Sequence, residues 1–315
     1  MSSYDSKNDG IPLSGVLFVI FICSMWGMNM VTIKYSNQGV PPILAATIRS
    51  AVASFLLFLL AKIRGQSVWL RGPELKHGIV IGMLFAVDFL FLYWGPAFTN
   101  ASRAVIFLYT QPLWTALFAH FLLADDRLTR MKTIGLVVAF AGLITVFGAR
   151  DETLGPNYWI GDLMEVGAAI AWAFTTIYIK RFVRDKPITH YQTLFGQLFW
   201  SIPLLAVCFV IVEWGRPVVI TGPILAALGY QTVVIAFFSY LLWFWMIHTY
   251  TVSKLAAFTF LAPMFGVIFS GLVLGEALPI PLWIGLAMVA TGIYLVNRPE
   301  PAVAPAHVIA AEDED

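Results

Sequence analysis

Three ionisable residues sit where the surrounding sequence is apolar, and their placement is the first clue to chemistry. Arg49 lies in ATIRSAVASFLL, Asp88 in GMLFAVDFLFLYW and Glu165 in GDLMEVGAAIAW. A charged side chain inside an apolar membrane-length segment is costly, so such residues mark either a paired structural contact or a site that handles ions, protons or polar cargo. Arg49 and Asp88 lie at similar depth, about 12 Å and about 10 Å from the same end of their segments at 1.5 Å per helical residue. They are expected to meet as a structural ion pair, with a substrate or proton role for Asp88 as the alternative. Glu165, three residues after Asp162, reads either as a solvated interface carboxylate or as a cavity carboxylate that recognises an amino group or exchanges protons. His120 and His248 fall near segment ends and read as snorkelling or hydrogen-bonded side chains.

Aromatic residues supply the second candidate surface. Trp69, Trp159, Trp214 and Trp283 fall at segment ends, where indole rings prefer the membrane interface. Trp26, Trp172, Tyr109 and Tyr240 fall mid-segment instead. Tyr109 and its neighbours Thr110 and Gln111 precede Pro112, whose ring removes the hydrogen bond to residue 108 and loosens the helix there. Pro263 does the same at a matching position further on. The expected site therefore combines Trp26, Asn29, Asp88, Tyr109, Thr110, Gln111, Glu165, Trp172 and Tyr240, with Arg49, Pro112 and Pro263 as structural supports.

The elements that must position these residues are membrane helices. The chain has 315 residues, 59% of them apolar and 12% charged, too few charges to cover a water-soluble globule. Apolar stretches of roughly 18 to 25 residues, the length that crosses a bilayer, are expected at 13–35, 41–61, 78–96, 101–123, 131–149, 159–181, 191–213, 222–247, 252–274 and 279–297. Pro41, Pro42, Pro73, Pro156, Pro187, Pro217, Pro223 and Pro279 punctuate their ends. The first run is too long for a cleaved signal peptide and lacks a small-residue cleavage pattern. With the N-terminus inside, fourteen Lys and Arg fall on the cytoplasmic side and four on the other, which predicts cytoplasmic termini. Residues 1–12 then form a short cytoplasmic N-terminus, and 298–315, rich in Pro and Ala and ending EDED, a disordered acidic tail.

An internal repeat organises the ten helices. Trp26 and Lys34 recur as Trp172 and Lys180. Trp94, Ser102, Arg103 and Pro112 recur 151 positions later as Trp245, Ser253, Lys254 and Pro263, and the IGL at 134–136 with Gly142 recurs as the IGL at 284–286 with Gly292. The units are 13–149 and 159–297. Each holds five spans, an odd number, so the second copy enters the membrane from the opposite face. The fold class is thus an all-α integral membrane protein of two inverted five-helix repeats. That architecture suits alternating access about a midplane site. Gly78/Gly82 and Gly271/Gly275 have GxxxG spacing and are read as helix-packing surfaces.

WGMN in the first span, ATIRSAVASFLL, SRAVIFLYTQPLWTALFAHFLLADDRLT and its second-half counterpart SKLAAFTFLAPMFGVIFSGLVLGEAL resemble the EamA-type drug/metabolite transporters. The resemblance spans residues 13 to 297 and is nearest to the bacterial exporters of aromatic and other neutral amino acids. It implies a multi-pass carrier of the bacterial inner (plasma) membrane, with a central cavity lined mainly by helices 1, 3, 4, 6, 8 and 9. The acidic position after the fourth helix is Asp125 and Asp126 here, with Glu276 in the second half; these are read as loop and cap features without a transport role.

Several classes lack support. The sequence has no GxxxxGK[ST] loop, HExxH, Cys/His cluster or G-x-S-x-G, so no nucleotide, zinc or serine hydrolysis and no cofactor or metal is expected. A net charge of +1 gives no basis for nucleic-acid binding. Cys23 and Cys208 lie in apolar runs and behave as small hydrophobes. No Lys or Arg lies deep in the last two spans, which disfavours anionic cargo. The expected partners are the lipid bilayer and a neutral or zwitterionic small molecule, with protons as a candidate co-substrate and the oligomeric state open. Efflux of drugs or quaternary cations is the alternative, and a membrane receptor or enzyme without transport is the alternative from another class.

Overall fold

The computed structural model describes residues 11–148, 156–275 and 278–298. Ten helices in it are long and apolar enough to cross a membrane: Leu13–Ser36, Pro42–Ile63, Gly72–Trp94, Ala101–Leu122, Arg130–Phe147, Tyr158–Val183, His190–Val212, Gly222–Thr249, Val252–Val273 and Ile280–Asn297. They are called spans 1 to 10. The expected boundaries lie within a few residues of these, except that span 3 starts at Gly72. The proposed N-terminal segment up to residue 10, Arg150, Glu276 and the acidic tail beyond Arg298 lie outside the described residues.

Local sequence sets the ends. Proline at the first or second position opens spans 2, 8 and 10, where its missing N–H has no intrahelical partner to lose. Asn100 accepts the Arg103 N–H at 2.8 Å and Thr129 the Lys132 N–H at 3.3 Å. Thr189 and Gln192 form a reciprocal capping box at span 7, satisfying two N–H groups that would otherwise be orphaned. Span 2 is capped by another helix: Glu213, at the end of span 7, accepts the Ile43 and Leu44 N–H groups at 2.9 and 3.1 Å. A carboxylate there also faces the positive end of the helix dipole.

Spans 4 and 9 are broken. Span 4 consists of Ala101–Leu108 and Gln111–Leu122, and span 9 of Val252–Phe258 and Leu261–Leu274. Each break falls just ahead of its proline, Pro112 or Pro263, at corresponding points of the two halves. Spans 6 and 8 contain π-helical turns over Ile179–Val183 and Tyr230–Ser239, a feature that hydrophobic length does not announce.

Packing follows the repeat. Span 5 lies on span 10, 2 on 7, 3 on 7, 8 on 2, 4 on 6, 9 on 1, 3 on 6 and 8 on 1; exchanging each span for its counterpart five positions away returns the same set. The most extensive seam joins spans 5 and 10. There a Cβ on Gly142 would lie 2.7 Å from the Gly285 carbonyl, and one on Gly292 would lie 2.4 Å from the Gly135 carbonyl. Only glycine allows backbones this close. Gly78 and Gly82 also pack on a helix, against Gly196 and Trp200 of span 7. Gly275 departs from the expected packing role. It ends span 9 with φ +70° and has open space around its Cβ position, so it serves as a left-handed helix terminator.

Candidate functional site: a central cavity

A cavity of about 450 Å³ runs between spans 1, 3, 4, 6, 8 and 9, with single residues contributed by spans 5 and 7 and two by span 2. At one end it is bordered by Lys34, Asn37, Pro96 and Ala101, all exposed. At the other it stops at Ile179 and Ile247, both about 1% exposed. The mouth therefore lies at the face carrying the 37–41 and 95–100 connections, and the floor lies toward the face carrying the 123–129 and 184–189 connections.

One wall is aromatic. The Trp26 ring makes edge contacts with Trp243, Trp172 and Tyr240 at centroid distances of 5.0, 5.8 and 6.4 Å, and its Nε1–H donates to Ser239 Oγ at 3.0 Å. Tyr109 stands edge-on to Trp172 at 6.3 Å, and Phe85 to Tyr240 at 6.1 Å. Such edge-to-face clusters fix ring orientation beyond simple burial. Seven of the nine expected site residues, Trp26, Asn29, Asp88, Tyr109, Glu165, Trp172 and Tyr240, line this cavity, as does the structural Pro263.

Thr110 and Gln111 do not line it. The Thr110 hydroxyl donates back to the Phe107 carbonyl at 2.7 Å and accepts from Trp114 Nε1. Gln111, fully buried, donates to Thr115 at 2.8 Å and accepts from Thr259 at 3.4 Å. Both serve the broken backbone: Gln111 ties the break of span 4 to the break of span 9. Pro112 is likewise buried outside the cavity wall.

The expected Arg49–Asp88 ion pair is absent. Arg49, 1% exposed, lays its guanidinium over the Phe89 ring at 4.3 Å, and its Nε and Nη2 have no hydrogen-bond partner. Glu165, expected at a solvated interface in one reading, is 0% exposed, and neither carboxylate oxygen has a partner. It sits against Gly95, where a Cβ would lie 2.4 Å from Oε1. The partnered carboxylate is its neighbour Asp162, which accepts from Thr99 Oγ1 at 2.8 Å and Arg103 Nε at 3.2 Å. Arg49 itself lines the cavity, as do Gln197, Phe85 and Trp243. Phe85 and Leu92, three residues before and four after Asp88, share its helical face, a spacing that could have marked them in advance.

The floor is held by polar contacts. Lys180 donates to the Ile247 carbonyl at 2.9 Å and the Tyr250 carbonyl at 2.8 Å. Asp126, read from sequence as a loop and cap feature, is 2% exposed and joins the two halves: it accepts from Ser253 N at 2.9 Å, from the Ser253 hydroxyl, and from Lys132 Nζ at 3.3 Å. The first half of span 9 is thereby capped from the end of span 4. His77 Nδ1 meets the Tyr178 hydroxyl at 2.8 Å nearby.

The model of the EamA-like transporter family matches residues 13–148 and again 159–298, one copy on each half. The chain belongs to the EamA-like transporter family. It is 23% identical over 286 residues to an uncharacterized transporter of Bacillus subtilis, YoaV, covering 89% of this chain and 95% of that one. It is also 23% identical over 303 residues to a probable amino-acid metabolite efflux pump of Escherichia coli, covering 92% and 95%. A solved crystal structure superposes with a TM-score of 0.77 at 21% identity, over 88% of this chain and 94% of that one, which establishes the fold. This EamA-like protein is accordingly a multi-pass membrane transporter for small molecules and not an enzyme. Among the described residues no His/Cys/Asp/Glu group is arranged to hold a metal ion.

Proposed function

We propose that this transporter exports neutral amino acids with apolar or aromatic side chains, or similar amphiphilic metabolites, across a bacterial inner membrane by alternating access. The observation that carries the reading is the cavity: about 450 Å³, walled by Trp26, Trp172, Tyr240 and Trp243 and edged by a few polar groups. That size and mixture suit a small amphiphile. The Lys/Arg bias supports cytoplasmic termini, and on that orientation the cavity mouth faces outward in this conformation. The two five-helix halves, 13–149 and 159–297, are the units whose exchange of shape would reverse access. Substrate contacts are assigned to Trp26, Asn29, Asp88, Tyr109, Glu165, Trp172 and Tyr240.

Counterflow of labelled Phe, Met and Thr into proteoliposomes of the purified protein tests this directly. Saturable exchange, competed by other neutral amino acids and not by sugar phosphates, is expected. No saturable flux across that panel would refute the proposal. A second reading, efflux of quaternary cations, is favoured by the aromatic wall beside two carboxylates, an environment that attracts cations; competition by quaternary ammonium compounds in place of amino acids would select it. Proton coupling rests on Asp88 and Glu165. With a proton gradient as the driving force, neutralising the coupling carboxylate abolishes gradient-driven accumulation and spares exchange, whereas export down the substrate gradient is indifferent to both changes.

A further inference from the structure

We propose that Arg49 is the carboxylate anchor of a zwitterion site, in which Asp88 and Glu165 receive the ammonium group and the tryptophan wall receives the side chain. The inference rests on the transport reading and names the chemistry by which the same cavity chooses its cargo.

Three buried ionisable residues border one cavity, and no ion pair joins them. Arg49 is 1%, Asp88 7% and Glu165 0% exposed. Arg49 Nε and Nη2 and both Glu165 oxygens are shielded from solvent and lack protein partners. Guanidinium stays protonated in proteins and presents a planar fork of N–H donors. Leaving such donors unpaired in a poorly polar setting is unfavourable. A structural Arg–carboxylate contact would close into a bidentate pair, yet here the Arg49 guanidinium rests on the Phe89 ring at 4.3 Å.

The occupant that relieves both deficits must carry a carboxylate and an ammonium. An amine alone would leave Arg49 unneutralised and face its repulsion. A simple carboxylic acid would meet Asp88 and Glu165 with the same sign of charge. An amino acid offers a planar two-oxygen acceptor to the guanidinium and an N–H donor group to the carboxylates. Its apolar remainder can then lie against Trp26, Trp172 and Trp243. Because these polar atoms are shielded in this conformation, binding requires the long Arg49 and Glu165 side chains to turn from the wall into the cavity that both line.

The test compares L-phenylalanine, 2-phenylethylamine and 3-phenylpropionate as competitors of counterflow, and as ligands that raise the melting temperature of the purified full-length protein. In the unaltered protein, L-phenylalanine should act at least tenfold more tightly than either analogue. In R49Q its advantage over phenylethylamine should vanish, with the amine itself bound no less tightly. In the D88N/E165Q double variant, the advantage over phenylpropionate should vanish. An equal weakening of all three ligands in R49Q, or an unchanged order of preference, would overturn the anchor. If R49Q does not fold, the unaltered protein and R49K decide: a phenylethylamine affinity equal to that of L-phenylalanine in the unaltered protein defeats the proposal, and so does an R49K variant indistinguishable from it. Absence of saturable flux for any compound would count against the transport reading, while the melting shifts would still decide the role of Arg49.

Discussion

At the residue scale, two glycines at the cavity edge separate function from stability. A Cβ on Gly95 would meet the Glu165 carboxyl at 2.4 Å, the far end of a flexible side chain; one on Gly161 would meet the Gly95 carbonyl at 2.5 Å and Thr99 N at 2.7 Å. Gly95→Ala is therefore expected to displace Glu165 and change transport while the melting temperature stays near that of the parent. Gly161→Ala must move backbone and should cost about 1–3 kcal/mol of stability, read as a lower melting temperature and lower yield of folded protein. Equal melting temperatures for the two variants would contradict this assignment. The mid-span aromatics Trp26, Tyr109, Trp172 and Tyr240 could be singled out in the sequence because an indole or phenol far from the interface lacks the usual reason for being there. Trp243 follows Tyr240 by three residues on the same α-helix, so it was reachable from Tyr240 by helical spacing. Gln197 was not: it is the single cavity residue that span 7 contributes, so no second lining residue marks that face of its helix.

At the element scale, ten spans were legible because hydrophobic length and end-loop charge are local properties, readable without knowing what touches what. Helix-to-helix choices are not local. Glu213 caps span 2 from 170 positions away, and Asp126 caps the first half of span 9 from 127 away; nothing in either flanking sequence distinguishes these carboxylates from solvated loop residues. The glycine seam between spans 5 and 10 lay between the two cases, since Gly142 and Gly292 were visible as a repeat and not as partners of Gly285 and Gly135. Gly142→Ala drives a methyl to 2.7 Å from a backbone carbonyl on a stiff helix. We expect a loss of about 1–3 kcal/mol, seen in thermal or denaturant unfolding in detergent. The affinity of the remaining folded protein for substrate should be unchanged, because neither glycine lines the cavity. A variant with normal stability and altered affinity would show that the seam communicates with the site.

At the scale of the whole molecule, the conformation is set by which end of the cavity is tied. Here the floor is tied: Lys180 bonds two carbonyls around the junction of spans 8 and 9, and Asp126 holds Ser253 at the same junction. Hydrogen bonds to a charged group are worth about 1.5–3 kcal/mol each, so losing about 3 kcal/mol of net closure would raise the floor-open population on the order of 100-fold. Lys34, the repeat counterpart of Lys180, stands at the mouth. The two halves thus place like residues at opposite ends of one passage, as an exchange of conformations between inverted copies requires. Lys180→Met combined with Asp126→Asn should therefore release the floor without removing a cavity-lining side chain. The readout is a single cysteine at Ile247, in a background with Cys23 and Cys208 replaced, challenged with a membrane-impermeant thiol reagent from each side of sealed vesicles. The parent should be protected from the side of the 123–129 and 184–189 connections, because Ile247 is buried beneath the tie. The double variant should become reactive from that side, and correspondingly less reactive from the mouth. Reactivity unchanged from both sides would mean that the floor is held by apolar packing around Ile179 and Ile247, with the polar contacts contributing little to the choice of state.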